Sequence, residues 1–463
     1  MAASLPARPA RAPMPPAGGI WTLAWPAITA NLLNSTVGLV DIKIVGSLGA
    51  PAVAAVTTGN RIFFILQALL MAVTAGTTAL VARAWGALDR GEAERVTRAS
   101  LWMCIGVASA MTLPGLVFPH QLAGVFRLDD RTIELAATFI RWLAPFQLAF
   151  AVHFALGAAL RAAGDTRTPL WIGATTNVIN IALVYSLVYG KFGMPTLGVA
   201  GAAIASGTAF TVGALIFLAL WVRGKLLLRL GPHGSWERRR VRRIVDIGYP
   251  AGLEQVVWQG GFIAFLWLVS LYGTAPYAAY GIGVNLLSFS FVVGFGFSVA
   301  SSTLVGQHLG AGDPEGARHS GWRAMRLCIA AMSVFGLTII AAARPLARFM
   351  IDDPEVVRLT VVFIYILGSV QPLMAIESAL GGALRGAGDT RFPLLAVFSG
   401  LIGARVTLAA LFAARHMRVE WIFAALIADY VVKATMLTLR FRSGRWRHAV
   451  RSTHAHAVEP EPS

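Results

Sequence analysis

The chain has 463 residues, of which 56% are hydrophobic and only 13% are charged. Together with a mean hydropathy of +0.67, this composition excludes a single water-soluble core and indicates a membrane protein. The formal net charge of +17 does not indicate nucleic-acid binding, because the basic residues stand in short segments between apolar runs, which is the positive-inside pattern.

The predicted elements begin after a tail. Residues 1–19 are rich in Pro, Ala and Arg and lack the apolar stretch of a signal peptide, so they predict a disordered cytoplasmic tail. Twelve apolar segments follow, each long enough to cross about 30 Å of hydrocarbon. A basic cytoplasmic linker, 223–243, separates the first six from the second six, and a cytoplasmic tail, 441–463, ends the chain. The predicted helices are 20–45, 53–82, 97–118, 133–158, 169–190, 197–222, 244–270, 277–306, 322–343, 357–382, 392–414 and 419–440.

The two halves repeat each other. ALRAAGDTRTP at 159–169 and ALRGAGDTRFP at 383–393 stand 224 residues apart, and the same offset aligns many other positions. An even number of spans per repeat gives both halves the same orientation, related by an axis along the membrane normal. We therefore predict an all-α integral membrane protein with two parallel-related six-helix lobes, 20–222 and 244–440. Positions aligned by the offset include Pro26 with Pro250, Gly86 with Gly310 and Cys104 with Cys328.

Basic residues predict the orientation. Arg and Lys are concentrated at the termini and in the even-numbered connections, with roughly a threefold deficit on the other face, so both termini are expected in the cytoplasm. The run WERRRVRR at 236–243 can attract anionic lipid headgroups at about 1 kcal/mol per basic residue. Membrane lipids are therefore expected partners, and nucleic acid is not.

The repeated motif predicts a turn between two helices. Gly164 and Gly388 allow the backbone to turn, while Asp165 and Asp389 can cap the next helix by accepting backbone N–H bonds. A gating or ion-pair role for the motif is the alternative.

The chain resembles the MATE family of multidrug and toxic compound extrusion transporters over about residues 20–440. The resemblance rests on LR-x-A-GDTR-x-P after the fourth span of each half, WPAITANLLNSTVGLVD in the first helix and GYPAGLEQ in the seventh. Within the family it is nearer to the DinF-type prokaryotic branch. The family implies efflux of amphipathic, often cationic small molecules in exchange for inward H⁺ or Na⁺, through an alternating-access cavity between the lobes. It also implies a bacterial inner-membrane protein without a cofactor or resident metal, which we expect to act as a monomer.

Asp41 is the strongest candidate for the coupling site. An intramembrane carboxylate is costly, so a functional role is its default interpretation, and Asn31, Asn34 and Asp41 fall on one stripe of the first helix. Such a carboxylate can stay protonated while dry and ionise on contact with water. The resembled family has its proton or cation site at this aspartate. The alternative is that Asp41 pairs with Lys43 or extends to the outer surface.

The fifth helix adds two amides to this site. Asn177 and Asn180 share a face, and the matching family segment reads roughly N-x-x-N-x-x-x-D, with Val184 here at the last position. A single carboxylate favours H⁺ over Na⁺, because Na⁺ without a second anion has less compensation for its desolvation. Interhelical hydrogen bonding, typically about 0.6 kcal/mol, is the alternative role of the asparagines.

The second lobe offers Glu254 and Glu377. The NorM-type relatives place their acids at positions that correspond to Trp258 and Met374 here, so that cation site is not visible. Both glutamates remain candidates for binding cationic groups of a substrate or a second proton. Ion pairing with Arg405 or Arg61 is the competing interpretation.

Other polar and aromatic residues have weaker assignments. Asp429 and Lys433 have the i,i+4 spacing of a structural ion pair. Pro26 and Pro250 interrupt their helices and are candidates for structural gating. Candidates for lining the cavity, with packing as the alternative role of the aromatic ones, are Asn31, Asn60, Gln67, Glu254, Trp258, Phe262, Tyr280, Phe289, Phe291 and Glu377.

Two other functions compete with efflux. A lipid-linked oligosaccharide flippase of the same superfamily commonly has additional spans and a more basic cavity, and a passive channel would not need the buried acid. The sequence contains no P-loop, HExxH or Ser/His/Asp grouping that would indicate an enzyme. Nothing in the sequence names the substrate.

Overall fold

The computed structural model describes residues 19–229 and 237–449, and these residues form helices and turns without a strand. The predictions for residues 1–18, 230–236 and 450–463 in the two tails and the linker lie outside the described residues. Eleven of the described helices are long and apolar enough to cross a membrane, and a twelfth span is broken by a 47° bend. The prediction of an all-α protein with twelve membrane helices is therefore confirmed.

The first lobe contains helices α1 to α6. A short helix, Pro119–Gly124, precedes α4, which has two parts joined by a 3₁₀ turn. The bounds are α1 Ile20–Gly46, α2 Ala50–Gly86, α3 Arg90–Val117, α4 Asp130–Leu143 with Gln147–Ala163, α5 Arg167–Tyr189 and α6 Gly198–Val222.

The second lobe repeats this order as α7 to α12. The short helix Ala343–Met350 corresponds to the one before α4, and α10 is the bent span. The bounds are α7 Arg238–Ser270, α8 Thr274–Gly310, α9 Pro314–Ala341, α10 Pro354–Ser369 with Gln371–Gly386, α11 Arg391–Val397 with Phe398–Val406 and Thr407–Ala414, and α12 Val419–Ser443.

Helix α7 begins at Arg238, six residues before the predicted start at 244. Its first turn docks on the first turn of α3, because Arg240 donates to both carboxylate oxygens of Glu92 at 3.0 and 2.9 Å. The run that was assigned to the linker is thus helical from residue 238 onward, and an ion pair holds it against the other lobe.

The repeated motif turns the chain as predicted, with Gly164 and Gly388 at φ +99° and +84°, a region that favours glycine. Asp165 also accepts a hydrogen bond from the backbone N–H of Thr168 at 2.9 Å, as a cap does. Asp389 differs, since its carboxylate pairs with Arg440 at 2.8 Å instead of capping α11. The capping prediction is therefore wrong for the second copy.

Helix α11 contains a π-helical segment, Phe398–Val406. A π-helix bonds each residue to the fifth one along, so each of its turns holds one residue more than a turn bonded to the fourth. The corresponding helix α5 is regular and has 23 residues, whereas α11 has 24. The segment carries Arg405, which is buried in the second lobe.

The backbones of the two lobes come into contact at the carboxyl ends of α2 and α8. A side-chain Cβ at Gly86 would overlap the carbonyl of Gln307, and one at Gly310 would overlap the carbonyl of Arg83. Two hydrogen bonds add to this contact: Thr303 donates to the carbonyl of Arg161 at 3.0 Å, and Gln307 donates to the carbonyl of Ala162 at 3.1 Å. The glycines therefore allow backbone-to-backbone contact at one end of the interface, below a cavity that both lobes line.

Candidate functional site

The polar stripe of α1 lies against the asparagines of α5. Asn177 donates to the amide oxygen of Asn34 at 2.9 Å, and Asn180 donates to Oδ2 of Asp41 at 2.9 Å. Residues three apart on one helix share a face, so α5 presents both amides to α1 at once. The structure thus brings four of the predicted coupling residues together as two hydrogen-bonded pairs.

Asp41 is only half satisfied in this arrangement. Its Oδ1 and the Oδ1 of Asn180 are buried and have no hydrogen-bond partner among the described residues. A carboxylate oxygen away from water is costly unless a donor, a proton or a cation satisfies it. Asp41 is therefore positioned to take up a cation or a proton.

The neighbours of Asp41 provide no second charge. Lys43 is exposed, and none of the ion pairs among the described residues joins it to Asp41. Val184, at the position where the family pattern has an acid, is fully buried. Within the described ranges, moreover, no group of three or more His, Cys, Asp and Glu side chains could hold a metal ion. Asn31 stays apart from the cluster, because its amide donates to the carbonyl of Ala27 on its own helix at 2.9 Å.

The second lobe contains a buried charge network. The ammonium of Lys433 lies 3.0 Å from Asp429 and 3.4 Å from Glu377. Arg405 lies 3.8 Å from Asp429, donates to the hydroxyl of Tyr280 at 2.9 Å and covers the ring of Phe265 at 4.0 Å. The i,i+4 pair of Asp429 and Lys433 is present, and Tyr280 is a buried member of the network. Two acids and two bases balance in this network, which is typical of a structural role.

The two glutamates of the second lobe have other partners than expected. Glu254 pairs with Arg385 at 3.1 Å, and Arg385 also donates to Ser298 at 3.3 Å. Glu377 pairs with Lys433. The ion-pair interpretation therefore applies to both, but neither Arg405 nor Arg61 is the partner. The sequence missed Arg385 because its place in the repeated motif assigned it to a turn.

A cavity of about 520 Å³ lies between the lobes. Its aromatic wall has Trp258 edge-on to Phe291, with their ring centroids 5.2 Å apart. Of the predicted lining residues, Glu254, Trp258, Phe291 and Glu377 line it. Its polar lining is Thr74, Thr78, Arg161, Glu254, Gln255, Gln259, Ser298, Ser302, Thr303, Glu377, Ser378 and Arg385.

Other predicted lining residues lie elsewhere. Asn60 lines a second cavity, of about 290 Å³, which shares Gln259 with the first. Gln67 is half-buried and lines neither of these two cavities, and Phe289 is exposed. Tyr280 is turned into the charge network instead.

The cavity also contains a residue that sequence reasoning placed only in a turn, Arg161. Arg161 and Arg385 each lie along their own helix over a glycine one turn earlier, where a Cβ at Gly157 or Gly381 would stand 3.2 or 3.3 Å from the guanidinium. A glycine four residues before an arginine in both repeats was the available signal. The prolines of the gating prediction, Pro26 and Pro250, are both buried within their helices.

Comparison with known proteins points to one family. The MatE family model matches residues 26–186 and 250–411. A probable multidrug resistance protein NorM from Thermotoga maritima is 31% identical over 436 residues, 92% of each chain. The multidrug resistance protein PmpM of Pseudomonas aeruginosa is 27% identical over 382 residues, which cover 81% of this chain and 79% of that one.

Solved structures share the fold. The Vibrio cholerae MATE transporter VcmN in its bent form superposes with a TM-score of 0.86 at 20% identity, over 93% of this chain and 97% of that one. An outward-facing multidrug resistance MATE transporter of the MOP superfamily gives 0.85 at 19% identity, over 95% and 97%.

Proposed function

Because the chain belongs to the MatE family of multidrug transporters, we propose that it is a secondary active antiporter that exports amphipathic, cationic organic compounds in exchange for protons. The family consists of membrane transporters and not of enzymes. The relatives named above are NorM-type proteins, and the nearer likeness to the DinF-type branch stays a prediction.

One observation carries the proposal. Asp41 is held by Asn180 through one carboxylate oxygen, while its other oxygen is buried without a donor. A proton on that oxygen removes the negative charge of Asp41. It also turns the oxygen into an O–H group, which no longer needs a donor from the protein. When the site is wetted, hydration favours the ionised form. Asp41 thus links proton binding to the exposure of the first lobe.

Protons fit this site better than sodium ions. A hard cation such as Na⁺ is best held by several oxygens that include carboxylates, and the site has a single carboxylate with three amides. The residue that would provide a second one is Val184. Asn34, Asn177 and Asn180 act in this proposal by orienting Asp41 and its helix.

Transport would use the cavity between the lobes. Its aromatic wall suits a flat, delocalised cation, since Trp258 and Phe291 present ring faces and edges to the cavity. Glycine-mediated contact closes one end of the interface, and breaking it would open the cavity to the other side. Pro26 and Pro250 would let α1 and α7 bend during this change.

The setting of this activity follows from the predicted topology. We propose a bacterial inner-membrane protein with both termini in the cytoplasm, acting as a monomer on drug-like small molecules, with lipids as its surroundings. The basic first turn of α7 would then face the anionic inner leaflet.

Efflux from proteoliposomes under separately imposed gradients tests the proposal. A fluorescent amphipathic cation should be moved against its gradient when a pH gradient alone is applied, and a Na⁺ gradient alone should be ineffective. Transport driven only by a Na⁺ gradient would show that Na⁺, and not H⁺, is the coupling ion. Movement that only follows the dye's own gradient would indicate a passive channel instead.

A further inference from the structure

The cavity between the lobes has an unbalanced charge. Four ionisable side chains line it: Glu254, Glu377, Arg161 and Arg385. Both carboxylates are already neutralised, Glu254 by Arg385 at 3.1 Å and Glu377 by Lys433 at 3.4 Å. Behind the wall, Lys433 and Arg405 balance Glu377 and Asp429. Both negative charges in the cavity are therefore paired with basic residues of the protein itself.

Arg161 is the unbalanced group. Its guanidinium lines the cavity and forms no ion pair or side-chain hydrogen bond with any residue that the structure describes. The hydrogen bonds of Arg161 to other elements involve its backbone carbonyl, which accepts from the hydroxyl of Thr303 and the N–H of Gly164. A partly buried cation without a partner inside a membrane protein is costly, and a ligand is the usual explanation for keeping it.

The internal repeat shows what is missing. Arg385 is the copy of Arg161 at the offset of 224, and both lie over an equivalent glycine. The partner of Arg385 is Glu254, and the offset places Ala30 at that position in the first lobe. One copy of the pair is thus complete within the protein, whereas the other has the arginine alone.

We propose that Arg161 recognises a carboxylate carried by the substrate, so that the cavity prefers zwitterionic amphiphiles over cations of the same shape. A guanidinium binds a carboxylate through two parallel N–H bonds, which gives both energy and orientation. In this arrangement the aromatic wall takes the delocalised cation and the substrate's carboxylate takes the place that Glu254 has beside Arg385. This inference rests on the proposed efflux function and specifies its substrate class.

Two dyes that differ by one ester provide the test. Rhodamine 110 carries a free carboxylate beside its cationic ring system at neutral pH, and rhodamine 123 is its methyl ester. Fluorescence anisotropy of the purified protein in detergent should show rhodamine 110 binding about ten-fold more tightly, as expected for hydrogen bonds to a charged group. Equal dissociation constants for wild type would overturn the proposal.

Variants of Arg161 test whether this residue causes the preference for rhodamine 110. In Arg161→Gln the ratio of the two dissociation constants should fall towards one, whereas Arg161→Lys should keep part of it. Lys225→Gln removes an exposed cation outside the cavity and should keep the wild-type ratio. An unchanged ratio in Arg161→Gln would overturn the proposal.

A second variant leaves Arg161 in place. Ala30→Glu adds the carboxylate that the repeat lacks, so it should neutralise Arg161 and also bring the ratio towards one. If Arg161→Gln fails to fold, Ala30→Glu provides the test by itself. A wild-type ratio of the two dissociation constants in Ala30→Glu would then overturn the proposal. Binding in detergent needs no ion gradient, so a failure here is distinct from a failure of proton-driven efflux in proteoliposomes.

Discussion

At the scale of single residues, Asp41 has a hydrogen bond on only one of its carboxylate oxygens. Asp41→Asn keeps the shape of a protonated carboxyl but can no longer release a proton. We expect its gradient-driven efflux in proteoliposomes to fall to the level of protein-free liposomes, while the variant still folds and binds substrate.

Lys43→Ala is the control for a change at the carboxyl end of α1, because Lys43 is exposed and forms no ion pair with the carboxylate of Asp41. This variant should extrude the dye like wild type. Efflux by Asp41→Asn at the wild-type rate with full proton dependence would move the coupling site elsewhere, with Glu254 and Glu377 as the next candidates.

Lys433 differs from Asp41, since its side chain is 1% exposed and its ammonium contacts two carboxylates. Lys433→Met leaves Asp429 and Glu377 with too little compensation, and loss of one partner of a buried pair typically costs about 3–5 kcal/mol. Thermal unfolding in detergent should show a marked drop in the midpoint. Lys225→Met, an exposed site, should stay within about 0.5 kcal/mol of wild type; equal midpoints for the two variants would contradict the structural role.

Helical periodicity alone places Asn34 and Asp41 on one stripe of α1 and Asn177 and Asn180 on one face of α5, and the family resemblance gave the expectation that these two faces meet. Sequence reasoning failed on the partners of the two glutamates. Which base reaches an acid on another helix depends on how the helices pack, and no periodicity within one helix contains that information. The partner of Glu254 is therefore Arg385, which the sequence analysis had assigned to the turn motif.

At the scale of elements, α1 is one continuous helix with Pro26 inside it. Proline removes a backbone hydrogen bond there and costs about 3 kcal/mol in a regular helix interior. Pro26→Ala should therefore leave expression and thermal stability intact or improved, but it should slow efflux, since a stiffer α1 moves the polar stripe less readily.

Pro114→Ala is the matched control, because Pro114 also lies inside a membrane helix, α3, but away from the Asp41 cluster. Its turnover should stay near that of wild type. If Pro26→Ala turns over as fast as wild type, Pro26 has only a packing role.

Helix boundaries were the less predictable part of the elements. The apolar spans were found because about 20 apolar residues are needed to cross a bilayer. Their polar extensions were not, as the start of α7 at Arg238 shows. There an ion pair with Glu92 of α3 extends the helix beyond its apolar part, which hydropathy alone does not detect.

At the scale of the whole molecule, the two lobes touch through glycines. A Cβ at Gly310 would meet the backbone of Arg83, and backbone cannot move aside as a flexible side chain can. Gly310→Ala should push the lobes apart at this end, lower efflux and expose the cavity floor. The measurement is labelling of Ser302→Cys by an impermeant thiol reagent applied from the side of the termini, which should speed up.

Gly281→Ala lies on the same helix with no neighbouring atom within 4 Å of the added Cβ. It should label and transport like the parent protein. Equal labelling of Ser302→Cys in both glycine variants would show that the contact does not control access.

The orientation of the molecule is open to a similar test. With both termini in the cytoplasm, cysteines replacing Arg90 or Arg238 should be inaccessible to an impermeant reagent in intact cells, and those replacing Ala50 or Ala275 should react. The exposed Arg238 suits this better than Arg240, which is buried against Glu92. Reaction of the first pair would reverse the topology.

The π-helical segment of α11 has a consequence for how the two halves came to differ. One extra codon in the second copy of an ancestral duplicated gene suffices to add the residue that α11 has beyond α5. The wider π-helical turn holds the extra residue without breaking the helix, so the side chains within the segment are displaced from their counterparts while those after it keep their faces. A single insertion can thus give the two copies different buried side chains along one helix. Afterwards selection can act on the C-terminal copy, where Arg405 is buried in the second lobe, without disturbing the Asp41 cluster of the first copy.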